Sequence, residues 1–401
     1  MMNFSANISD LASFLVSLSD ICLAGAFVGC VLTIIESAFV LSFDGESKQA
    51  GSVQPPVTIL KPLHGSEPGL PNRLAAFCSQ DYDAPVQVLC GTQDHASPAV
   101  AAVRDLQPKL PDGALELAVD PRSHGANGKV SNLINMLARA RHDTIVLSDA
   151  DIVVGPDYLR ALAGLLVAPN VGAVTCLYHG IGEGLWARMS ALAINSHFLP
   201  QAITAIALRL ARPCCGATIA MHRSMLERIG GFGAFAEVLA DDFAIGTAVR
   251  TTGYEIVTAP FLVGHHCFED SLRQLFLHQL RVARTIKSID PIGYTGTILT
   301  HPWPLALLGL LSGSTASVLV AAAVLVSRAT LCRCVERKFG LRRENYWLIP
   351  LHDVIAFAVY VASYFGTTVH WRGADYRVTA DGTLIEDADG TLIEDQDLRP
   401  S

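Results

Sequence analysis

The sequence predicts an α/β protein in which a sheet of mostly parallel strands alternates with helices, with apolar segments of membrane-spanning length at both ends. Three observations carry this. Short apolar runs separated by helical stretches recur from Val57 to Leu147, the alternation expected of βαβ units. Charged residues are only 16% of the chain and apolar ones 51%, where an average soluble domain carries about 25% charged residues. Three stretches, Ile21–Phe43, Pro302–Val326 and Trp347–Val369, are apolar and long enough to cross a bilayer.

Taken in order, residues 1–20 form a tail without Lys or Arg and so without the positive start of a secretory signal. Residues 21–43 are read as a membrane anchor, with Glu36 near an interface or paired within a bundle. Lys48 follows the span, which puts the amino terminus outside and the main domain in the cytoplasm. Residues 44–56, ending in Pro55-Pro56, are a linker. Strands are then expected at Val57–Leu60, Val86–Cys90, Leu115–Val119 and Ile145–Leu147, and helices at Leu70–Gln80, Ala99–Leu110 and Lys129–Ala140.

The last of those strands ends in Ser148-Asp-Ala-Asp-Ile152. In open α/β sheets ligands bind at the carboxyl edge of the strands, and Asp149 and Asp151 offer hard oxygen ligands for Mg²⁺ or Mn²⁺. A solvated loop carrying two acids is the alternative. The same edge receives Lys61, placed to meet a phosphate, and Asp94, placed to accept hydrogen bonds from a ribose or base. It also receives the loop from Asp120 to Lys129, which leads an anion-suited lysine into a helix start. Farther on, Asp241-Asp242 precedes the helical run Phe243-Ala-Ile-Gly-Thr-Ala. The pair supplies either a general base or a helix cap with a first-turn charge. Leu185–Leu210 is either an amphipathic element docked on a bilayer or an ordinary core helix pair.

Several phrases together carry a family resemblance. Val57-Thr-Ile-Leu-Lys-Pro-Leu-His-Gly65, Thr92-Gln-Asp-His95, Gly128-Lys-Val-Ser-Asn-Leu133, Ser148-Asp-Ala-Asp-Ile152 and Ala240-Asp-Asp-Phe243 resemble the ceramide glucosyltransferase family. His124-Gly-Ala-Asn127, Val130–Met136, Gly155–Leu159 and Val174–Tyr178 resemble its bacterial branch, the hopanoid-biosynthesis-associated glycosyltransferases. The likeness runs from about Val57 to Val378.

It implies a GT-A fold and inverting transfer of a sugar from a UDP-sugar to a membrane lipid. By the resemblance Asp94 holds the nucleotide, Asp149 lies at the metal and diphosphate, Asp151 completes the Asp-x-Asp, Asp242 is the general base and His197 binds the UDP-sugar. In His278-Gln-Leu-Arg-Val282, Arg281 matches a family arginine suited to diphosphate. Two positions depart: His278 replaces the usual Gln or Arg, and Val282 stands where tryptophan is expected. That second change removes an aromatic surface near the acceptor.

The domain expectation is a GT-A domain at 57–300, a membrane region at 301–369 and a tail at 370–401. Gly309, Ser312, Gly313 and Ser314 interrupt the second apolar segment, and Arg328 to Arg343 supply six basic residues after it. A full crossing would place them outside, against the positive-inside tendency, whereas a re-entrant hairpin over 302–334 would return them. His352 and Asp353 in the third segment either pair with neighbours, line a headgroup channel or sit at an interface. The tail repeats Asp-Gly-Thr-Leu-Ile-Glu-Asp at 381–387 and 389–395.

Ten cysteines lack metal-ligand spacing and read as reduced thiols. A net charge of −8 without a basic patch excludes a general nucleic-acid binder. The expectation is a multi-pass protein of the inner (cytoplasmic) membrane, catalytic domain facing the cytoplasm. It would use Mg²⁺ or Mn²⁺ and a UDP-sugar, with N-acetylglucosamine favoured, to glycosylate a hopanoid such as bacteriohopanetetrol. Ceramide with UDP-glucose is the runner-up. A degenerate nucleotide- or lipid-binding relative and a processive polysaccharide synthase are the readings from other classes.

Overall fold

The computed structural model describes residues 2–45, 53–366, 368–371, 374–378 and 384–386. The chain divides into two compact units, a helical one of residues 1–43, 192–207 and 271–367 and a sheet unit of residues 44–191, 208–270 and 368–401. After helix α1 (Met2–Ser42) come β1 (Val57–Pro62), α2 (Leu70–Cys78), β2 (Val86–Thr92), α3 (Pro98–Leu106), β3 (Leu115–Val119) and α4 (Gly128–Leu137). Next are β4 (Thr144–Leu147), β5 (Ile152–Val153), α5 (Tyr158–Leu166), β6 (Val171–Gly182), α6 (Leu185–Ala193) and α7 (Leu199–Ala207). Then follow β7 (Ile219–His222), α8 (Arg223–Arg228), α9 (Asp241–Thr251), β8 (Glu255–Cys267), α10 (Leu272–Ile289), α11 (Pro291–Gly296), α12 (Pro302–Gly309), α13 (Thr315–Phe339) and α14 (Ile349–Ala362).

The eight-stranded sheet has the order β3-β2-β1-β4-β7-β6-β8-β5. Every residue of β1 and of β4 is buried, as central strands covered on both faces must be. Leu133 and Met136 of α4 and Ile245 and Val249 of α9 join Leu60, Leu89, Ile145, Leu147 and Ile219 in one core cluster. Gly91 makes the α4 contact possible, because a Cβ there would lie 2.3 Å from the Met136 side chain.

The sheet is mostly parallel, as expected, with β8 parallel to β6 as well, but it is not purely so. The strands read from the sequence are parallel, β3 to β2, β2 to β1 and β1 to β4. Beyond them β7 runs antiparallel to both β4 and β6, and β5 antiparallel to β8, so the whole is mixed. The physical cause is that the chain enters β7 from the carboxyl edge of β4, without the crossover that parallel pairing demands.

In the helical unit, Leu15–Ser42 and Thr315–Phe339 are long and apolar enough to cross a membrane. The second of these replaces the expected span at Pro302–Val326. Gly313, at φ 63°, ends α12 and its following turn, and Ser314 caps α13 by accepting from the Ser317 amide. The third expected span, Trp347–Val369, also shortens. Its helix has 14 residues, about 21 Å at 1.5 Å per residue, against a hydrocarbon core of about 30 Å.

The helices α12 and α13 form a hairpin along α1. Gly29 packs on Leu299 and Pro302, Gly25 on Leu305, and Leu23 on Gly309, so α12 runs antiparallel to α1. Cys22 and Ala26 cluster with Ala321 and Val324, and Phe43 meets Phe339 at 6.1 Å between ring centroids, so α13 runs parallel to it. Arg333 to Arg343 therefore lie at the end of the helical unit where α1 finishes.

His352 and Asp353 are fully buried and hydrogen-bonded to each other, and Asp353 also pairs with Arg328 and His197. The first repeat of the tail falls on the described residues only at Leu384–Glu386, which pair antiparallel with Tyr376–Val378; the rest of 381–395 lies outside the described residues, as do 46–52 of the linker. The ten cysteines are free of disulfides.

Candidate active site

Register alone gathers the site. Strands β2, β1 and β4 are adjacent and parallel, so Thr92, Pro62 and Leu147 end on one edge. Ile219 at the start of antiparallel β7 pairs with Leu147, which brings the preceding residues 214–218 to that same edge. Ile152 of β5 pairs with His265 of β8, which sets a histidine beside Asp151.

The Asp-x-Asp turn is held from below by two buried cations. The Lys61 ammonium donates to the Asp149 carbonyl and sits 3.9 Å over the Phe77 ring centroid. Arg73 Nε donates to the Ala150 carbonyl at 2.9 Å, and its Nη2 to Glu67 Oε2 at 2.9 Å. Lys61 is 0% exposed, so the expected phosphate contact gives way to a structural one. Its place in an all-buried strand turns the side chain beneath the loop.

Above the turn, carboxylates converge on one lysine. Lys129 Nζ lies 2.9 Å from Asp149 Oδ1 and 3.1 Å from Asp241 Oδ2. Asn127 fixes the start of α4, accepting from the Lys129 and Val130 amides at 3.0 Å each and donating to the Val238 carbonyl at 2.7 Å. Asp242 Oδ2 accepts from the Gly216 amide at 3.0 Å and Oδ1 from the Phe243 amide at 2.8 Å. Gly216 is the pivot: a Cβ on it would stand 2.9 Å from Asp149 Oδ2, 3.1 Å from Lys129 Nζ and 3.6 Å from Asp242 Oδ2. Ala240 is the N-cap of α9, and Asp241 and Asp242 both lie in its first turn, where their charge also meets the helix N-terminus.

Burial and the neighbouring Asp241 push the Asp242 carboxyl up to about 6, against the pull of Lys129 and the two amides. Burial likewise raises Asp149, opposed by Lys129 and reinforced by Asp151. Asp151 goes the other way. Burial disfavours its charge, but His265, whose Nε2 is 3.2 Å from Oδ2, together with Lys61 and Arg73, holds it well below the usual carboxylate range. Burial opposes the Lys129 charge too, yet Asp149, Asp241 and Asp242 outweigh it and raise the ammonium.

The residues present fit a divalent cation. Asp149 and Asp151 supply hard oxygens, and Asp151 Oδ1 is buried without a hydrogen-bond partner, a vacancy that a Mg²⁺ or Mn²⁺ ion matches in chemistry.

Of the residues expected from the sequence, Asp149, Asp151, Lys129, Asp241 and Asp242 are thus brought together. Asp94 lies on the same edge, exposed, with Oδ1 accepting from the Ala96 amide at 2.8 Å. His197, His278, Arg281 and Val282 belong to the helical unit, where His197 Nε2 is 3.1 Å from Asp353 Oδ1 and Val282 is 42% exposed on α10. Arg73, His265, Gly216 and Asn127 were not singled out as site residues. Only Asn127 carried a local signal, an asparagine just before a helix; the other three act through contacts distant in sequence.

The model of glycosyl transferase family 21 matches residues 21–384. Ceramide glucosyltransferase 1 of Caenorhabditis elegans is 24% identical over 210 residues, 50% of this chain and 43% of its own length. Ceramide glucosyltransferase of Gibberella zeae is 26% identical over 177 residues, 39% of this chain and 34% of its own. The match thus spans less than half the length of these relatives. A mannosyltransferase from Pyrobaculum calidifontis, solved with GDP-Man and Mn²⁺, superposes with TM-score 0.51 at 21% identity, covering 88% of this chain and 99% of that one. That likeness concerns the fold alone, a GT-A-like glycosyltransferase fold on a mixed sheet. The family match covers most of the sequence, and the chain belongs to glycosyl transferase family 21.

Proposed function

We propose that this protein is a membrane-anchored, inverting glycosyltransferase that moves a sugar from a UDP-sugar to the hydroxyl of a lipid. The observation that carries the reading is the convergence of Asp149, Asp241 and Asp242 on Lys129 and Gly216 at the carboxyl edge of the sheet. Asp242 takes the proton of the acceptor hydroxyl as that oxygen attacks the anomeric carbon from the face opposite the leaving UDP. A carboxyl raised to about 6 is both ionised near neutral pH and basic enough for the task. Lys129, at the start of α4, meets the diphosphate with the helix N-terminus, and Asp94 holds the nucleoside. Asp149 and Asp151 would hold Mg²⁺ or Mn²⁺, which supplies neutralisation of the charge on the departing diphosphate.

The two apolar helices support a membrane anchor, and the positive-inside tendency favours a cytoplasmic place for the basic 333–343 segment. For the acceptor and donor, the phrases at 124–127 and 130–136 favour a hopanoid with UDP-N-acetylglucosamine. The relatives named ceramide glucosyltransferase favour the second reading, ceramide with UDP-glucose.

Membranes carrying wild type or Asp242→Asn, given radiolabelled UDP-N-acetylglucosamine or UDP-glucose, Mg²⁺ and either bacteriohopanetetrol or ceramide, test this. Label in extracted lipid is expected from wild type and should fall by about 10²- to 10⁴-fold in the variant. The labelled lipid decides between the acceptors. Tight UDP binding without transfer to either would overturn the enzyme reading in favour of a binding protein.

A further inference from the structure

The helical unit contains a polar cluster that the proposed chemistry leaves unexplained. Arg328 of α13 is 2% exposed, and His352 and Asp353 of α14 are 0% exposed. Arg328 grips Asp353 with Nε on Oδ2 and Nη2 on Oδ1, both at 2.8 Å. It also donates to the Ser196 carbonyl at 2.7 Å and the Ser196 hydroxyl at 3.1 Å. The two charges cancel.

Two histidines lean on the same carboxylate, His197 Nε2 at 3.1 Å and His352 Nδ1 at 3.2 Å from Asp353 Oδ1. A carboxylate only accepts, so these nitrogens carry the hydrogens, and in a neutral His352 ring the Nε2 lone pair faces away as an acceptor. That His352 Nε2 is buried and has no partner, and neither does the buried His301 Nδ1. His301 and His352 flank His197 at 5.4 and 5.2 Å between ring centroids. Buried polar atoms are nearly always paired, and two orphans in one cluster of an apolar helical unit point to a ligand.

Its class follows from what remains unsatisfied. A metal ion is disfavoured, because the guanidinium occupies both oxygens of Asp353 and adds positive charge where the ion would sit. A phosphate is disfavoured as well, since Arg328 has no charge to spare. A hydroxyl suits a neutral imidazole acceptor, and the Phe357 and Tyr360 rings pack beside His301, 5.8 and 5.3 Å from its ring centroid. His197, with 12% of its side chain exposed, is the open member of the cluster.

We propose that the helical unit binds the hydroxyl-bearing head of an uncharged lipid, with His352 Nε2 and His301 Nδ1 facing its hydroxyl groups. The inference rests on the reading above in taking the acceptor to be a lipid alcohol, and it names groups that recognise it.

The test uses the full chain in detergent with a diazirine-bearing ceramide analogue and, separately, a diazirine-bearing hopanoid polyol, with no sugar donor present. His352→Phe, which removes the acceptor and keeps a ring, should lower photolabelling by about tenfold, the worth of one hydrogen bond. His352→Gln restores an acceptor and should recover most of it. Excess unlabelled hydroxylated lipid should compete, and phosphatidylglycerol should not.

UDP binding, measured by calorimetry on the same preparations, should stay unchanged, and it reports on the sugar-nucleotide reading separately. Should His352→Phe fail to fold, His301→Phe is read in the same way. Labelling unchanged in both Phe variants, or competition by phosphatidylglycerol alone, would overturn the proposal and leave the two nitrogens to buried water. Labelling lost in the variants but no sugar transfer by wild type would sustain it while sinking the transferase reading.

Discussion

Two cations, the partly exposed Lys129 of the sheet unit and the buried Arg328 of the helical unit, each face carboxylates, and the difference between them is instructive. Lys129 meets Asp149 and Asp241 by one contact each, with Asp242 nearby, so acids outnumber the cation. Asp149 is a third exposed. Arg328 meets a single acid by two hydrogen bonds, and both partners are closed off. An unbalanced, half-open cluster is poised to take up a cation or give up a proton. A balanced, closed one fixes geometry and leaves only neutral polar atoms to spare.

The contrast breaks first at Arg328. Arg328→Met leaves Asp353 charged and buried against two imidazoles, and removing one partner of a buried pair costs about 3–5 kcal/mol. A marked fall in the thermal midpoint of the purified protein is expected, and a midpoint equal to that of wild type would show the pair to be dispensable. At the open cluster the expected loss is in rate. Gly216→Ala pushes a methyl toward Asp149 and Lys129, and a displacement of this kind lowers turnover by about 10²-fold, with the melting midpoint little changed.

The pH dependence sharpens the same contrast. Turnover should fall about tenfold per unit below about pH 6 as Asp242 takes up a proton. Its contribution to stability has the opposite sign. A carboxyl raised on folding stabilises the fold most below its unfolded value of about 4, and that contribution is lost as pH rises through about 6. A rate profile flat from pH 5 to 8 would exclude Asp242 as the base. The smallest effect is expected at Asn127→Ala, about 1 kcal/mol for one lost helix cap, read by chemical denaturation.

Much of the sheet's first half was legible because its strands are short apolar runs set between helices, and the edge that collects Asp94, Asp149 and Lys129 follows from that alternation. The second half was not. Strands β6 and β8 run through Tyr178-His179-Gly180 and Gly264-His265-His266, where polar and glycine residues blur the apolar signal, and β7 has only four residues. Those strands supply the antiparallel pairing, His265 and the approach of Gly216. The membrane segments show the same limit. Apolar length and the interruption around Gly313 were readable, but a helix that carries Arg328 into a buried pair with Asp353 was not, because that contact is distant in sequence.

By itself the sequence determined the α/β core, the Asp-x-Asp at the end of a buried strand and the apolar character of both ends, because local periodicity and composition encode these directly. Only the tertiary structure decided that Lys61 holds a turn from beneath, that Lys129 gathers three acids, and that His197 turns toward Asp353. Each depends on burial and on partners tens to hundreds of residues away. A side chain's role is set by the charge and solvent it meets after folding, which no local pattern carries.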